Sequence, residues 1–210
     1  MVSKLKPRER IIIAIVITAI VFSTLTALIV VYTIQPKTML TTTNKASDLR
    51  ATLRSLFIKH AEGHRLFAYA LYYNDNKLIQ IVPQELLQNS KDIGNAVASV
   101  YGRDAGDRFT QLFNGHIIGV ASLYKAILIN NSTGIDDAWN ALVSNAQDIA
   151  SFLSSANPYL PKDTVFNLLA THATQARQQM MLVSQGKFTE ESTLYDQMRT
   201  HLINIADAIA

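Results

Sequence analysis

An all-α fold, a single N-terminal transmembrane helix followed by a bundle of about six helices, is predicted by three observations. An uncharged apolar run occupies the start of the chain, apolar residues recur at three-and-four spacing through the remainder, and the remainder repeats itself every 56 residues.

The apolar run, Ile11 to Ile34, reads IIIAIVITAIVFSTLTALIVVYTI, 24 residues with no charge. At 1.5 Å per residue it spans roughly 36 Å, enough to cross a hydrocarbon core of about 30 Å with some tilt. Its Ser and Thr hydroxyls can bond back to the helix backbone, and Tyr32 lies where aromatic rings favour the interface. Lys4, Lys6, Arg8 and Arg10 precede the run, whereas only Lys37 and Lys45 come closely after it. This bias predicts a cytoplasmic tail over 1–10, a transmembrane helix over 11–35 and a C-terminal domain outside the cytoplasm or in a lumen. A cleaved signal peptide would carry a shorter apolar stretch and a small-residue cleavage site. Pro36 ends the helix, and the threonine-rich stretch to Ser47 reads as a linker, 36–47.

Charge narrows the function of the rest of the chain. Of 19 basic and 16 acidic residues, four and one precede the apolar run, which leaves 15 of each in the remainder. A neutral domain lacks the clustered Lys and Arg that nucleic-acid binding requires, and no nucleic-acid partner is expected. The chain has no cysteine, so disulfides, thiolate metal sites and cysteine nucleophiles are excluded.

The domain, 48–210, is best understood by comparison with itself. His60, His116 and His172 are 56 residues apart, in the contexts LRSLFIKH, FTQLFNGH and VFNLLATH. A second block returns at the same interval and aligns Asn89 with Asn145 and His201, Asp92 with Asp148 and Asn204, and Ile93 with Ile149 and Ile205. Two blocks in one register predict three diverged helical hairpins. Within the first block Leu49, Leu53, Leu56, Phe57, His60, His64, Phe67 and Leu71 follow helical spacing, and Phe109, Leu112, Phe113, His116, Val120, Leu123 and Ile127 repeat it. Boundary residues complete the assignment. Ser47 or Asp48 suits the first cap, Pro83 an opening turn, Asp136 and Asp137 the approach to the fourth helix, Pro161 with Asp163 the start of the fifth, Gly186 its end, and Thr189 with Glu190 and Glu191 the start of the sixth. Lys77 to Val82, KLIQIV, is expected to be an extended connector.

The repeat places His60, His116 and His172 on apolar stripes, with Asn89, Asn145 and His201 on the stripes of the partner helices. A buried imidazole or amide without a partner costs on the order of 1–3 kcal/mol, so these groups must find one another or a ligand. The first reading is a set of inter-helix hydrogen bonds, His to Asp or Asn, copied with the hairpin. The alternative is a transition-metal site formed by His60, His116, His172 and His201, with Asp92 or Asp148 orienting a ligand's second nitrogen. His60 and His64 sit one turn apart and face one way, but their context is HAEGH rather than HExxH, so the zinc-protease arrangement is absent. No Glu-x-x-His motif, phosphate loop, dinucleotide fingerprint or G-x-S-x-G elbow occurs, and no catalytic residue or organic cofactor is assigned. Tyr124, Trp139 and Phe152 read as core. Asn130 and Asn131 begin overlapping glycosylation sequons.

These motifs resemble a poorly characterised bacterial family of histidine-bearing helical bundles, some of whose members carry a glycosyltransferase label. The resemblance covers most of 50–210: His60 with Arg65-Leu66-Phe67, LLQNSKDIGNA at 86–96, Tyr101-Gly102, Ala105-Gly106, His116-Ile117, Trp139, NAQDIASFLSSANP at 145–158, His172, Tyr195-Asp196, His201 and Ala206-Asp207. It implies a helical bundle and no particular activity. A glycosyltransferase is not expected, because the chain lacks a nucleotide-sugar fold and an acidic metal motif. Gly63 and Tyr159-Leu160 depart from the family, which has tryptophans there, and the anchor suggests a surface, lumenal or virion-membrane version. The expected role is a membrane-anchored structural or interaction protein that docks a protein partner or its own copies, with the metal-binding bundle as the alternative.

Overall fold

The computed structural model of the protein describes residues 45–210, all of whose regular structure is helical. The expected tail, membrane helix and most of the linker, 1–44, lie outside the described residues, and none of the described helices is long and apolar enough to cross a membrane. Six helices run in succession: α1 (45–72), α2 (Asn76–Tyr101), α3 (Arg103–Leu128), α4 (Ser132–Ala156), α5 (Lys162–Ser184) and α6 (Phe188–Ile209).

The repeat seen in the sequence recurs in the backbone. Within each hairpin the turn hinges on one left-handed residue: Asn74 (φ 54°), Asn130 (φ 53°) and Gly186 (φ 69°), again 56 apart. Asn and Gly are the residues that adopt this conformation most cheaply. At each turn the left-handed residue donates its N–H three residues back, to Leu71, Ile127 or Val183. The next residue donates five back, from Asp75 to Ala70, Asn131 to Ala126 and Lys187 to Leu182, each at 2.9 Å. That pair of bonds is the Schellman closure, which satisfies carbonyls a helix end would leave orphaned.

The same turn residues start the next helices. Asp75 accepts from the N–H groups of Lys77 and Leu78 at 3.0 and 3.1 Å, and Asn131 accepts from Gly134 at 3.1 Å. These caps move two expected boundaries. KLIQIV is the first turn and a half of α2, because Asp75 nucleates helix ahead of it and Val82, with Leu86 one turn on, belongs to the buried face. Pro83 therefore lies inside α2, where it forgoes one intrahelical bond, instead of opening it. Likewise α4 begins at Ser132, a turn before Asp136 and Asp137. Residues 45–47, assigned to the linker, are already helical, so neither Ser47 nor Asp48 starts α1 within the described residues.

Consecutive helices pack together from α2 through α6, and α3 also packs on α5. α1 packs on both α3 and α6. Phe57 meets Phe113 of α3 edge-on at 6.0 Å, and Arg54 donates two hydrogen bonds of 2.6 Å to the Asp207 carboxylate of α6. The result is an inner trio, α1, α3 and α5, with α2, α4 and α6 seated in the grooves between them and the first helix closing on the last. Successive layers of the inner trio hold repeat-equivalent residues, all buried: Leu53, Phe109 and Val165; then His60, His116 and His172; then Leu71, Ile127 and Val183.

Each outer helix is pinned to its hairpin partner by one polar side chain. Asn89 donates to the Leu56 carbonyl at 3.0 Å, Asn145 to the Leu112 carbonyl at 2.9 Å, and His201 Nε2 meets the Leu168 carbonyl at 2.8 Å. Close approach accompanies two of these pins. A Cβ at Gly63 would stand 2.6 Å from the Leu86 side chain, and one at Gly119 would stand 2.8 Å from the repeat-equivalent Leu142, so these positions keep the two hairpins tight. The tryptophan that the resemblance leads one to expect at position 63 would require Leu86 to move.

Candidate metal centre

The histidine layer lies at the centre of the inner trio. His60, His116 and His172 form a near-equilateral triangle, with ring centres 5.6, 5.7 and 5.4 Å apart. His64, one turn after His60 on α1, caps it at 4.2 Å from His60, 5.8 Å from His116 and 6.1 Å from His172. The positions equivalent to His64 in the other hairpins are Val120 and Ala176, whose small side chains leave room for its ring. All four imidazoles are buried, and His116 is the most accessible at 8%.

The chemical state of this cluster is unusual. Both nitrogens of His60, His64 and His172, and Nε2 of His116, are buried without a hydrogen-bond partner in the protein. The His-to-Asp and His-to-Asn bonds expected from sequence are not made. Asn89 and Asn145 are engaged with backbone carbonyls, Asp92 accepts from Gln88 at 3.0 Å on the exposed side of α2, and Asp148 is exposed. Burial lowers the pKa of His64 to about 3 and that of His116 to about 4, and holds His60 and His172 well below the ordinary imidazole value. Neighbouring imidazoles add to the depression at His60, His64 and His172. The four rings are therefore neutral at physiological pH, which is the metal-binding form.

The geometry suits a small cation. With a metal–nitrogen bond of about 2.0–2.1 Å and a ring centre about 1.2 Å further out, four imidazoles in a regular tetrahedron hold ring centres about 5.2 Å apart. The six separations here range from 4.2 to 6.1 Å around that value. His60, His64 and His116 offer nitrogens that all lie within 4.8 Å of one another. A filled tetrahedral site needs about 3.3 Å, so this donor set must draw in to bind. His172 stands beside the three rather than among them.

On the Phe57, Phe113 and Leu169 side of the histidine layer is a small cavity, also lined by His60, His116, His172, Asn145 and apolar residues of α4 and α6. It leaves ≈ 10 Å³ to the centre of a water-sized sphere, the space of about one such molecule. His64 does not line it.

On the other side of the layer a buried polar chain begins. The Tyr124 ring stands edge-on to His64 at 6.1 Å, and its hydroxyl donates to Gln179 Oε1 at 3.0 Å. Gln179 Nε2 donates to Glu191 Oε1 at 2.8 Å, and Glu191 Oε2 accepts from Arg65 at 2.8 Å and Tyr69 at 2.9 Å. Tyr124, Gln179 and Glu191 are wholly inaccessible, while the Arg65 side chain is 30% exposed.

Three of the four histidines expected at a metal, His60, His116 and His172, thus share one cluster. The fourth, His201, is not in it, because its ring takes the place that Asn89 and Asn145 occupy in the other hairpins. Its alignment with those asparagines was the signal that it serves as a pin. His64, one turn from His60 on the same face of α1, belongs to the cluster. Glu191 stands in the first turn of α6, and nothing in the sequence sets it apart from Glu190, which is solvent-facing. Of the expected core aromatics, Tyr124 is wholly buried, and Trp139 and Phe152 are partly buried against the core.

No family model, curated protein or solved structure matches this chain.

Proposed function

We propose that this protein is a transition-metal-binding helical bundle, tethered to a membrane by its N-terminal segment with the bundle outside the cytoplasm, in a lumen or on a virion. The observation that carries the metal reading is the set of seven ring nitrogens, on four converging histidines, that the protein leaves without partners. At about 1–3 kcal/mol for each unpaired buried polar group, such a cluster is costly unless something bonds to it. Neutral imidazoles suit zinc, copper, nickel or iron, and converging side chains from facing helices are how bundles hold such ions. The tether reading rests on the apolar run Ile11 to Ile34 and the basic residues before it.

Elemental analysis of full-length protein purified without a histidine tag tests the metal reading. About one transition-metal ion per chain is expected, lost on His64→Ala or His116→Ala. Substoichiometric metal, unchanged by either substitution, would remove it.

A structural or docking role is the second reading, favoured by one feature. Tyr73 and Ile129, at equivalent positions in the first two hairpin turns, are 64% and 70% exposed at the same end of the bundle. Loss of a captured partner, or of self-association, on Tyr73→Ser with Ile129→Ser would support it. Unchanged association would count against it.

A further inference from the structure

We infer that a metal held by His60, His64 and His116 carries a small anionic ligand of one or two atoms, hydroxide being the simplest, in the cavity that His172 lines. This rests on the metal reading above and adds to it an open coordination position and a distinct role for the fourth histidine.

The donor set and the cavity share two histidines and differ in the other two. His60 and His116 belong to both, His64 belongs to the donor set alone, and His172 belongs to the cavity alone. A cation on the three donors accordingly has one side turned toward His64 and the other toward the cavity. Three protein nitrogens are the ligand count of zinc sites that keep a position for an exogenous ligand.

The size of the cavity and its chemistry select the ligand. It offers ≈ 10 Å³ to the centre of a water-sized sphere, which admits one small molecule and excludes an organic substrate. Apart from the histidines and Asn145, whose amide nitrogen donates to the Leu112 carbonyl, its walls are apolar side chains, Phe57, Phe113 and Leu169 among them. His172 is 3% exposed and both its nitrogens lack partners. As a neutral imidazole it has one N–H to donate, and a ligand in the cavity is the acceptor it otherwise lacks.

Charge makes that ligand an anion. Three neutral imidazoles do nothing to offset a divalent cation, and an uncompensated charge in an apolar interior is strongly penalised. Glu191 is the one fully buried acid among the described residues, and Arg65, Tyr69 and Gln179 already occupy its oxygens. A bound anion halves the net charge inside the bundle.

The test uses the full chain loaded with Cu(II) and titrated with fluoride, a one-atom acceptor whose nuclear spin splits the copper EPR signal when it coordinates. Wild type is expected to bind one Cu(II) and to develop the fluoride splitting. Against it, His172→Leu should keep copper affinity within about twofold and weaken fluoride at least tenfold. His172→Gln, which restores a donor, should recover part of that loss. Ala146→Val, which narrows the cavity from α4 without touching a ligand, should also retain copper and lose fluoride. If wild type binds copper but shows no fluoride splitting, and His172→Leu loses copper tenfold or more, then His172 is a fourth ligand and the inference fails while the metal reading stands. If wild type takes up no copper or other transition metal, the metal reading fails and the inference with it.

Discussion

Acid should unfold the metal-free bundle at a pH where most proteins of this size are still intact. Each clustered histidine is neutral in the folded protein and titrates near 6.5 in the unfolded chain. Burial lowers the folded pKa, so the unfolded state binds more protons, and the stability present above about pH 6.5 is lost as the pH falls toward the folded value. His64, at about 3, and His116, at about 4, bracket the lower end of that window. Between about pH 8 and pH 4.5 a histidine that stays neutral only when folded gives up about 2.7 kcal/mol, so these two together remove about 5 kcal/mol. His60 and His172, held down by the same burial, remove more. Small domains have about 5–15 kcal/mol to lose. Urea titrations followed by circular dichroism at a series of pH values should show the midpoint falling steadily from about pH 6.5 to pH 5, where carboxylates contribute little. His64→Leu and His116→Leu should each flatten that slope. A midpoint unchanged between pH 7 and pH 5 would refute the reasoning, because the imidazoles would then have to be charged or partnered in the folded state.

Three further substitutions, at two positions, address the pin and the buried acid. His201→Asn should preserve stability within about 0.5 kcal/mol and leave metal content unchanged, since asparagine makes the same bond in the other two hairpins, whereas His201→Ala should cost about 1 kcal/mol. Thermal melts and metal analysis on the two variants decide this, and a loss of metal in His201→Asn would return His201 to the site. Glu191→Leu should cost about 2–4 kcal/mol by urea denaturation, the low side reflecting the partial exposure of Arg65. A cost under about 1 kcal/mol would mean that Gln179 and Tyr124 find other partners without it.

Much of this architecture was legible because duplication wrote it three times. One histidine on an apolar stripe says little, but three at one interval, with Asn89, Asn145 and His201 keeping the same register, predicted the hairpins, while only the alternative reading of the histidines brought the imidazoles together. Local chemistry was harder to weigh. KLIQIV and Pro83 looked like a break in helix, and the Asp75 cap, together with burial of Val82 and Leu86, overrode that signal. The departures from the repeat were least visible. His64 has no counterpart among its equivalents, and Glu191 is buried only because α6 brings it against Arg65 from 126 residues away. Contacts between the first and last helices leave no periodic trace in the sequence.

That closure of the ring by its two ends has a consequence for how the protein is made. Every histidine of the cluster lies on α1, α3 or α5, so all four have been synthesised before α6 begins at Phe188. The last helix brings no ligand. It supplies Leu202 and Ile205 to the cavity wall, Glu191 to the buried polar chain and Asp207 to Arg54. During synthesis the cluster can assemble while one groove of the bundle is still open, and the 22 residues of α6 shut it. In the folded protein α6 thus covers the histidine layer without contributing to it, and closes one wall of the cavity through Leu202 and Ile205.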